Sequence, residues 1–203
     1  MASICVFCAS SEAIPHRYIE LAAQVGTELA RRGHSLVTGG GSVSCMGAVA
    51  RAARAGGART VGVIPRALLD KEVADHESDE LVISEDMRRR KGEMDRRSDA
   101  FLTLPGGIGT LEELTEVWVA HTLRMHVKPV VVLDPDGLFD PLREQVTRLV
   151  DLGFARASVW GAVSWVHSVD DAFAALEGPA PTLPPAPGSR FPFPRWAPVP
   201  SRT

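Results

Sequence analysis

A glycine-rich segment that ends in two carboxylates, residues 105–113 (PGGIGTLEE), carries the clearest chemical signal in the chain. An apolar run at residues 100–104 precedes it and predicts a buried strand, and an amphipathic stretch at residues 114–123 follows it and predicts a helix. A glycine turn between strand and helix lets backbone N–H groups approach an anion, and the helix N-terminus adds a favourable dipole. A phosphate-binding turn that also delivers Glu112 and Glu113 predicts chemistry on a nucleotide.

Glu113 has two interpretations. The sequence Thr110-Leu111-Glu112-Glu113 matches a capping box, in which Glu113 would bond back to the backbone of Thr110. A carboxylate at the mouth of a phosphate site could instead stabilise an oxocarbenium-like centre or activate water, as in glycoside hydrolysis. The residues by themselves leave both hypotheses open.

A second glycine cluster occupies residues 39–47 (GGGSVSCMG), after a predicted strand at residues 35–38. It is either an anion-binding turn or a tight strand–helix connection. It is not a Walker A loop, because Met46-Gly47-Ala48 stands where Gly-Lys-Ser/Thr is required. The next predicted strand is followed by Pro65-Arg66 and not by the acid that holds a dinucleotide ribose, which argues against NAD.

The third candidate element is a basic run, residues 88–91 (RRRK), directly after Asp86-Met87. Four cations in the first turn of a predicted helix oppose the helix dipole, which favours anions there. The run is either a solvated surface or a set of cations that face a phosphate or carboxylate bound between the glycine turns.

Short apolar segments alternate with helical patterns from residue 4 to about residue 176. Strands are predicted at residues 4–8, 35–38, 60–64, 80–83, 100–104 and 130–133, with residues 163–166 as a possible seventh. Helices are predicted at residues 16–32, 45–56, 87–98, 110–123, 141–152 and 170–176. This alternation predicts an α/β fold: a Rossmann-like, doubly wound, mostly parallel sheet flanked by helices, with ligands at the carboxyl ends of the strands.

Length and composition predict one domain at residues 1–177 and a tail at residues 178–203. The tail holds nine of the 15 prolines and is expected to be extended or disordered. A net charge of −3 gives no basis for general nucleic-acid binding. The apolar segments are far shorter than the roughly 20 residues that span a bilayer, and no signal sequence is visible, so a cytoplasmic location is expected.

No metal and no cofactor is predicted. Cys5 and Cys8 have CxxC spacing but lie along the first predicted strand and its exit, whereas a redox pair would lie at a helix N-terminus. Reduced, partly buried thiols are the favoured interpretation.

Together these motifs resemble those of the LONELY GUY (LOG) family. They are Pro-Gly-Gly-x-Gly-Thr-x-x-Glu at residues 105–113, Met-x-x-Arg-Lys at residues 87–91 and Gly-Gly-Gly-Ser-x-x-x-Met-Gly at residues 39–47. The resemblance covers roughly residues 3–176, and the combined order and spacing are far more specific than any one glycine cluster. Members of this family are cytokinin riboside 5′-monophosphate phosphoribohydrolases, often labelled lysine decarboxylase-like.

The resemblance implies a Rossmann-like homodimer that hydrolyses the N-glycosidic bond of an N6-substituted AMP, releasing free base and ribose 5-phosphate. It implies that Arg90 and Glu113 are the catalytic pair. Glu113 would stabilise the ribosyl cation or orient water, and Arg90 would act on the leaving base or the substrate's charge. The substrate-binding residues that it implies are Glu72, Lys91, Gly107, Ile108, Gly109, Thr110, Leu111 and Glu112, with Gly39, Gly40, Gly41, Ser42, Met46 and Gly47 from the other turn.

The chain departs from the family pattern at four positions. Ser44 and Cys45 stand where Gly-Leu is usual, Arg88 replaces a His, and Val119 replaces a Thr six residues beyond Glu113. These changes leave the preferred N6 substituent open, because pocket shape and not a motif selects it.

Two other functions compete with this hydrolase. A non-catalytic nucleotide-binding or carrier protein could use the same fold, although the intact Arg90 and Glu113 argue against it. A pyridoxal phosphate decarboxylase would require a Schiff-base lysine, and of the three lysines only Lys91 is near a glycine turn.

Overall fold

Seven short strands form the centre of the molecule, which a computed structural model describes at residues 1–69 and 74–178. They are β1 (Ser3–Phe7), β2 (Ser35–Thr38), β3 (Thr60–Pro65), β4 (Glu80–Ser84), β5 (Ala100–Thr103), β6 (Val130–Leu133) and β7 (Ser164–Val166). Their order in the single sheet is β4-β3-β2-β1-β5-β6-β7, and each neighbouring pair is parallel. Apolar runs without alternation form these strands because both faces of a parallel sheet are covered.

In the described part of the chain, six α-helices connect the strands and cover both faces. They are α1 (His16–Arg31), α2 (Ser44–Ala55), α3 (Met87–Arg96), α4 (Ile108–Thr122), α5 (Asp140–Asp151) and α6 (Val169–Glu177), and 3-10 turns lie at Arg66–Leu68 and Ala157–Ala162. Helices α1, α2 and α6 pack on one core, which includes Leu36 and Phe173. Helices α3, α4 and α5 pack on the other, which includes Phe101 and Trp118. This arrangement confirms the predicted doubly wound α/β fold.

The predicted elements all form, with boundaries within two residues of those expected. Gly33 and Gly57 end α1 and α2 with φ of +73° and +84°, a backbone conformation that glycine adopts without strain. Of the predicted tail, only Gly178 lies within the described residues. None of the helices in the described part of the chain is long and apolar enough to cross a membrane.

The two cysteines of the CxxC sequence belong to opposite faces of the sheet. Cys5 lies in the core under α3, α4 and α5, whereas Cys8 lies in the core under α1, α2 and α6. Both thiols are free and buried, and burial raises the pKa of each. A disulfide between these two residues is therefore not part of this fold.

A charged cluster joins the end of α1 to the end of α6. The Glu28 carboxylate accepts hydrogen bonds from Arg31 at 2.6 and 2.7 Å and from Arg32 at 2.5 Å. Arg32 also donates to Glu177 at 2.8 Å. The hydrogen bonds from Arg31 and then Arg32 lower the pKa of Glu28 to about 2.

Replacing Glu28 with Gln should therefore lower the thermal midpoint at neutral pH. The folded-state pKa lies below the ordinary value of 4.5, so the stabilisation is complete above that value and is lost as the pH falls towards 2. Thermal unfolding of both proteins from pH 7 to pH 2 should show a difference that shrinks over this interval. Glu20→Gln, at an exposed site on the same helix, is the control. If the difference in thermal midpoint between Glu28→Gln and the parent does not change with pH, the lowered pKa of Glu28 is contradicted.

Candidate active site

The site lies where the strand order reverses. β1 is flanked by β2 on one side and β5 on the other, and the chain winds outward from there in both directions. In such sheets the connections that leave the carboxyl ends at the switch point form a crevice. Both glycine turns identified in the sequence follow these strands, one after β2 and one after β5.

Arg90 is a buried cation near the carboxyl ends of these strands. Asp86 caps α3 by accepting the Arg89 N–H at 2.7 Å, and the helix then directs Arg90 inward. The guanidinium Nε donates to the carbonyl of Val63 at 3.0 Å, and Nη2 donates to the carbonyl of Gly39 at 3.2 Å. The residues of the basic run therefore differ in their surroundings. Arg88 and Arg89 are exposed to solvent, whereas Arg90 is only 5% exposed.

Gly39 provides the space for this guanidinium. A Cβ atom at Gly39 would lie 1.7 Å from Arg90 Nη2 and 2.9 Å from Arg90 Cζ. Only a residue without a side chain can therefore stand beside Arg90 in its observed position. Glycine at position 39 accordingly has a structural reason that is independent of phosphate binding.

Hydrogen bonds and packing contacts within the glycine turn after β2 hold its other residues in place. The Gly40 N–H donates to Thr38 Oγ1 at 3.2 Å, and the Gly41 N–H donates to Met46 Sδ at 3.0 Å. Gly47 packs against the Ser42 carbonyl, which a Cβ would approach to 1.8 Å. These contacts hold the turn beside Arg90, and substrate contacts by its residues stay a prediction.

Glu113 does not cap its helix. α4 begins at Ile108, with Gly107 as its N-cap residue and no side-chain cap. Thr110 is consequently the third helical residue, so the capping-box hypothesis is wrong. The helix starts two residues earlier because Gly107 adopts an extended conformation and its carbonyl accepts the Leu111 N–H at 3.1 Å. Glu113 lies on the next turn, where its Oε1 is 3.5 Å from Arg90 Nη1.

The first turn of α4 is open to solvent. Gly107, Ile108 and Gly109 are exposed, and a Cβ at either glycine would meet no atom within 4 Å. The first N–H groups of a helix lack intrahelical acceptors. Gly106 is different, because a Cβ there would lie 2.2 Å from Thr110 Oγ1. The turn is therefore packed tightly on its inner side and free on its outer side, as an anion site requires.

Lys91 bonds to carboxylates of α4. Its ammonium contacts Glu112 Oε1 and lies 2.5 Å from Glu116 Oε2. Burial disfavours its charge, yet the pKa of Lys91 is raised because these two carboxylates outweigh that effect. A Schiff-base lysine requires the opposite, a lowered pKa, so the environment of Lys91 argues against the decarboxylase alternative.

A cavity of about 230 Å³ adjoins Glu113 between α3 and α4. Phe7 and Phe101 line it, with their rings stacked at a centroid distance of 5.8 Å. Lys91 and Glu116 also line it. The site thus combines an exposed helix N-terminus, a buried Arg–Glu pair and an adjoining cavity with aromatic walls.

The structure brings together most of the predicted site residues, while Glu72 lies outside the described residues. Sequence reasoning missed Val63, whose carbonyl accepts from Arg90. It included Met87 in the basic motif but gave it no role, and its Sδ lies 3.9 Å from Arg90 Nη1. It also missed the connection after β1, where the Ser11 carbonyl accepts from Ser44 Oγ at 2.6 Å. Proximity to the central strand could have indicated that connection, but backbone acceptors leave no mark on a sequence.

The fold and site define a doubly wound α/β protein with a charged site at its switch point. A family model described as "Possible lysine decarboxylase" matches residues 46–177. The chain is 49% identical over 173 residues to a cytokinin riboside 5′-monophosphate phosphoribohydrolase of Mycobacterium marinum, and 48% identical over 173 residues to that of Mycobacterium tuberculosis. Each alignment covers 85% of this chain and 92% of the relative. The chain belongs to the LOG family.

Comparison with a solved structure supports the fold alone. The molybdenum cofactor binding protein of Rippkaea orientalis superposes with a TM-score of 0.66 over 86% of this chain and 94% of that chain. The two are 21% identical. At that identity the likeness concerns the architecture and not the ligand.

Proposed function

We propose that this protein is an N-glycosyl hydrolase that cleaves N6-substituted adenosine 5′-monophosphates to free base and ribose 5-phosphate. The observation that carries the proposal is the Arg90–Glu113 pair, 3.5 Å apart and largely buried, one helical turn from the exposed N-terminus of α4. The names of the relatives support the same activity.

The spacing along α4 suits a ribose 5-phosphate. The helix rises about 1.5 Å per residue, so Glu113 lies about 7.5 Å along the axis from Ile108. A phosphate bound by the N–H groups of Gly107, Ile108 and Gly109 would direct the sugar towards Glu113. The Thr110 hydroxyl would be the further phosphate ligand that the family resemblance implies.

In the proposed reaction, water adds across the bond between the anomeric carbon and the base nitrogen. The base leaves with the bonding electron pair, and the ribose acquires oxocarbenium character in the transition state. Glu113 stabilises that positive charge or orients the water, and Arg90 stabilises the negative charge that develops on the leaving base. No cofactor takes part in this scheme.

The activity is tested by incubating the purified protein with isopentenyladenosine monophosphate and with AMP, and measuring free base by chromatography. Release of base from either nucleotide, with ribose 5-phosphate in equal amount, is the expected result. The ratio of kcat/KM between the two nucleotides measures the preference for an N6 substituent. Tight nucleotide binding without base release at high protein concentration would overturn the proposal in favour of a non-catalytic carrier.

The phosphate contact predicts a specific effect of Gly109→Ala. The unliganded protein has open space at this position, and alanine favours a helix over glycine by about 1 kcal/mol. The variant should therefore be at least as stable as the parent, yet its KM for the nucleotide should rise because the methyl group occupies the phosphate position. KM for the nucleotide and thermal unfolding are measured on the same preparations. An unchanged KM would show that phosphate binds elsewhere.

We also propose that the protein is a homodimer in which α4 faces the second subunit. Leu114 and Trp118 bury one side of α4 in the core, while Ile108 and Val119 on another side are 85% and 54% exposed. The apolar surface continues past the helix to Leu123, Met125 and Val127, all of which are exposed. A helix that is apolar on more than one side is typical of an additional packing partner.

Light scattering at micromolar concentration should give twice the chain mass, and Val119→Glu should reduce it to the monomer mass. The matched control is Leu152→Glu, which adds a charge at an exposed apolar residue after α5 and should leave the dimer intact. A monomeric parent protein would contradict the proposal. The cytoplasmic location expected from the sequence stays a prediction.

A further inference from the structure

Two layers of ion pairs connect α3 to α4. In the inner layer, Arg90 of α3 faces Glu113 of α4. In the outer layer, the next residue of α3, Lys91, bonds to Glu112 and Glu116, which precede and follow Glu113 on α4. The residue that bonds to α4 is therefore adjacent in sequence to the catalytic arginine, and its partners flank the catalytic glutamate.

The cavity described above lies between these two helices. It adjoins Lys91, Glu113 and Glu116, so close side-chain packing does not fill the space beside the catalytic pair. Interiors resist displacement where atoms interdigitate, and a cavity removes those contacts. Leu114 and Trp118 anchor the other side of α4 in the core, so on the side that faces α3 polar contacts restrain the helix where packing is missing.

One ammonium group with two carboxylates a turn apart restrains both movements. Glu112 and Glu116 are i and i+4 neighbours on one side of α4. Anchoring both of them to one point fixes the rotation of the helix as well as its distance from α3. The rotation of α4 in turn sets where the Glu113 carboxylate lies relative to Arg90, which backbone carbonyls hold in place.

The local charge also disfavours a direct phosphate contact by Lys91. Its single positive charge already faces two negative ones, Glu112 and Glu116. A dianionic phosphate would have to displace one of these carboxylates and would then lie beside it. The structure therefore favours Glu112 and Glu116, and not the substrate phosphate, as the partners of the Lys91 ammonium.

We propose that Lys91 is a positioning residue, which acts through Glu112 and Glu116 to hold α4, and with it Glu113, in register with Arg90. The effect of Lys91 on catalysis rests on the proposed hydrolase function. The structural part, that Lys91 restrains α4, does not depend on that function.

The test compares five variants with the parent: two that remove one side of the contact, a control, and then the combined variant and Lys91→Arg. Lys91→Met removes the ammonium, Glu112→Met combined with Glu116→Met removes both acceptors, and Arg89→Met is the control. Arg89 pairs with Glu85, which lies just before α3, and makes no ion pair with α4 among the described residues. Steady-state kcat and KM are measured for the nucleotide, together with hydrogen exchange of the amides of residues 112–117 in the nucleotide-free protein.

A positioning role predicts that Lys91→Met and the double variant each lower kcat about tenfold or more, since small misplacements of reacting groups are costly. KM should stay within about twofold of the parent. The variant that combines Lys91→Met, Glu112→Met and Glu116→Met should lose no more kcat than Lys91→Met alone. Exchange at residues 112–117 should accelerate in both variants and not in Arg89→Met. Lys91→Arg should recover most of kcat.

A large rise in KM for Lys91→Met, with kcat retained and the double variant unaffected, would overturn the proposal in favour of direct substrate binding. Unchanged hydrogen exchange in both variants would overturn it as well. If the parent protein releases no base, the proposed function fails, while the exchange measurement still decides whether Lys91 restrains α4.

Discussion

Replacing Glu113 with glutamine is expected to lower kcat about 10³-fold, the scale typical of a missing catalytic carboxylate. Glutamine keeps the size of the side chain and its hydrogen-bonding capacity but lacks the negative charge that would stabilise a ribosyl cation. Nucleotide affinity should change little, because the proposed phosphate site is the first turn of α4 and does not include Glu113. The measurements are single-turnover base release and AMP binding by calorimetry.

Circular dichroism and thermal unfolding establish that the Glu113→Gln protein is folded. Glu85→Gln, which changes an exposed carboxylate before α3, is the matched control and should keep the parent activity. Retention of more than about a tenth of the parent kcat by Glu113→Gln would show that its charge is not used in the reaction.

Gly39→Ala is expected to have the second-largest effect, although Gly39 is assigned no chemistry in the proposed reaction. The added methyl would lie 1.7 Å from Arg90 Nη2, so the guanidinium must leave its carbonyl acceptors. We expect a loss of about 10²-fold in kcat. The variant should also lose about 2 kcal/mol in the free energy of unfolding, because a buried charged group loses its hydrogen bonds. Base-release kinetics and denaturant unfolding measure the two quantities.

A double-mutant cycle with Arg90→Ala isolates the cause. In the Arg90→Ala background the side chain that clashes is absent, so Gly39→Ala should have little further effect on either kcat or stability. Additive losses would show that Gly39 acts through something other than Arg90, such as a direct contact with substrate.

The fold was predictable because its signals are local. Each buried strand is a short apolar run between turn residues, and each helix carries a periodic pattern that glycine ends, as Gly33 and Gly57 show. The start of α4 was misplaced because a Thr-x-x-Glu pattern outweighed the glycines in front of it. Gly107 serves as the N-cap residue and has no side chain, so no capping side chain marks where the helix begins.

The motifs named candidate site residues but could not show the contacts among them. The motifs identified Arg90, Glu113 and both glycine turns. They could not show that Gly39 provides room for Arg90, or that Lys91 bonds to Glu112 and Glu116. Such relations depend on how three separate connections meet at one end of the sheet. A single sequence carries no information about distances between residues so far apart.

The hydrogen bonds that Arg90 makes have an evolutionary consequence. Both of its acceptors, the carbonyls of Val63 and Gly39, belong to the main chain. A substitution at position 63 leaves its carbonyl in place, and position 39 keeps its carbonyl and the room for the guanidinium as long as it stays glycine. The cation can therefore keep its place while the other surrounding side chains diverge. Relatives with new base preferences should therefore differ around the cavity and on α4, and should keep the guanidinium as a common reference point.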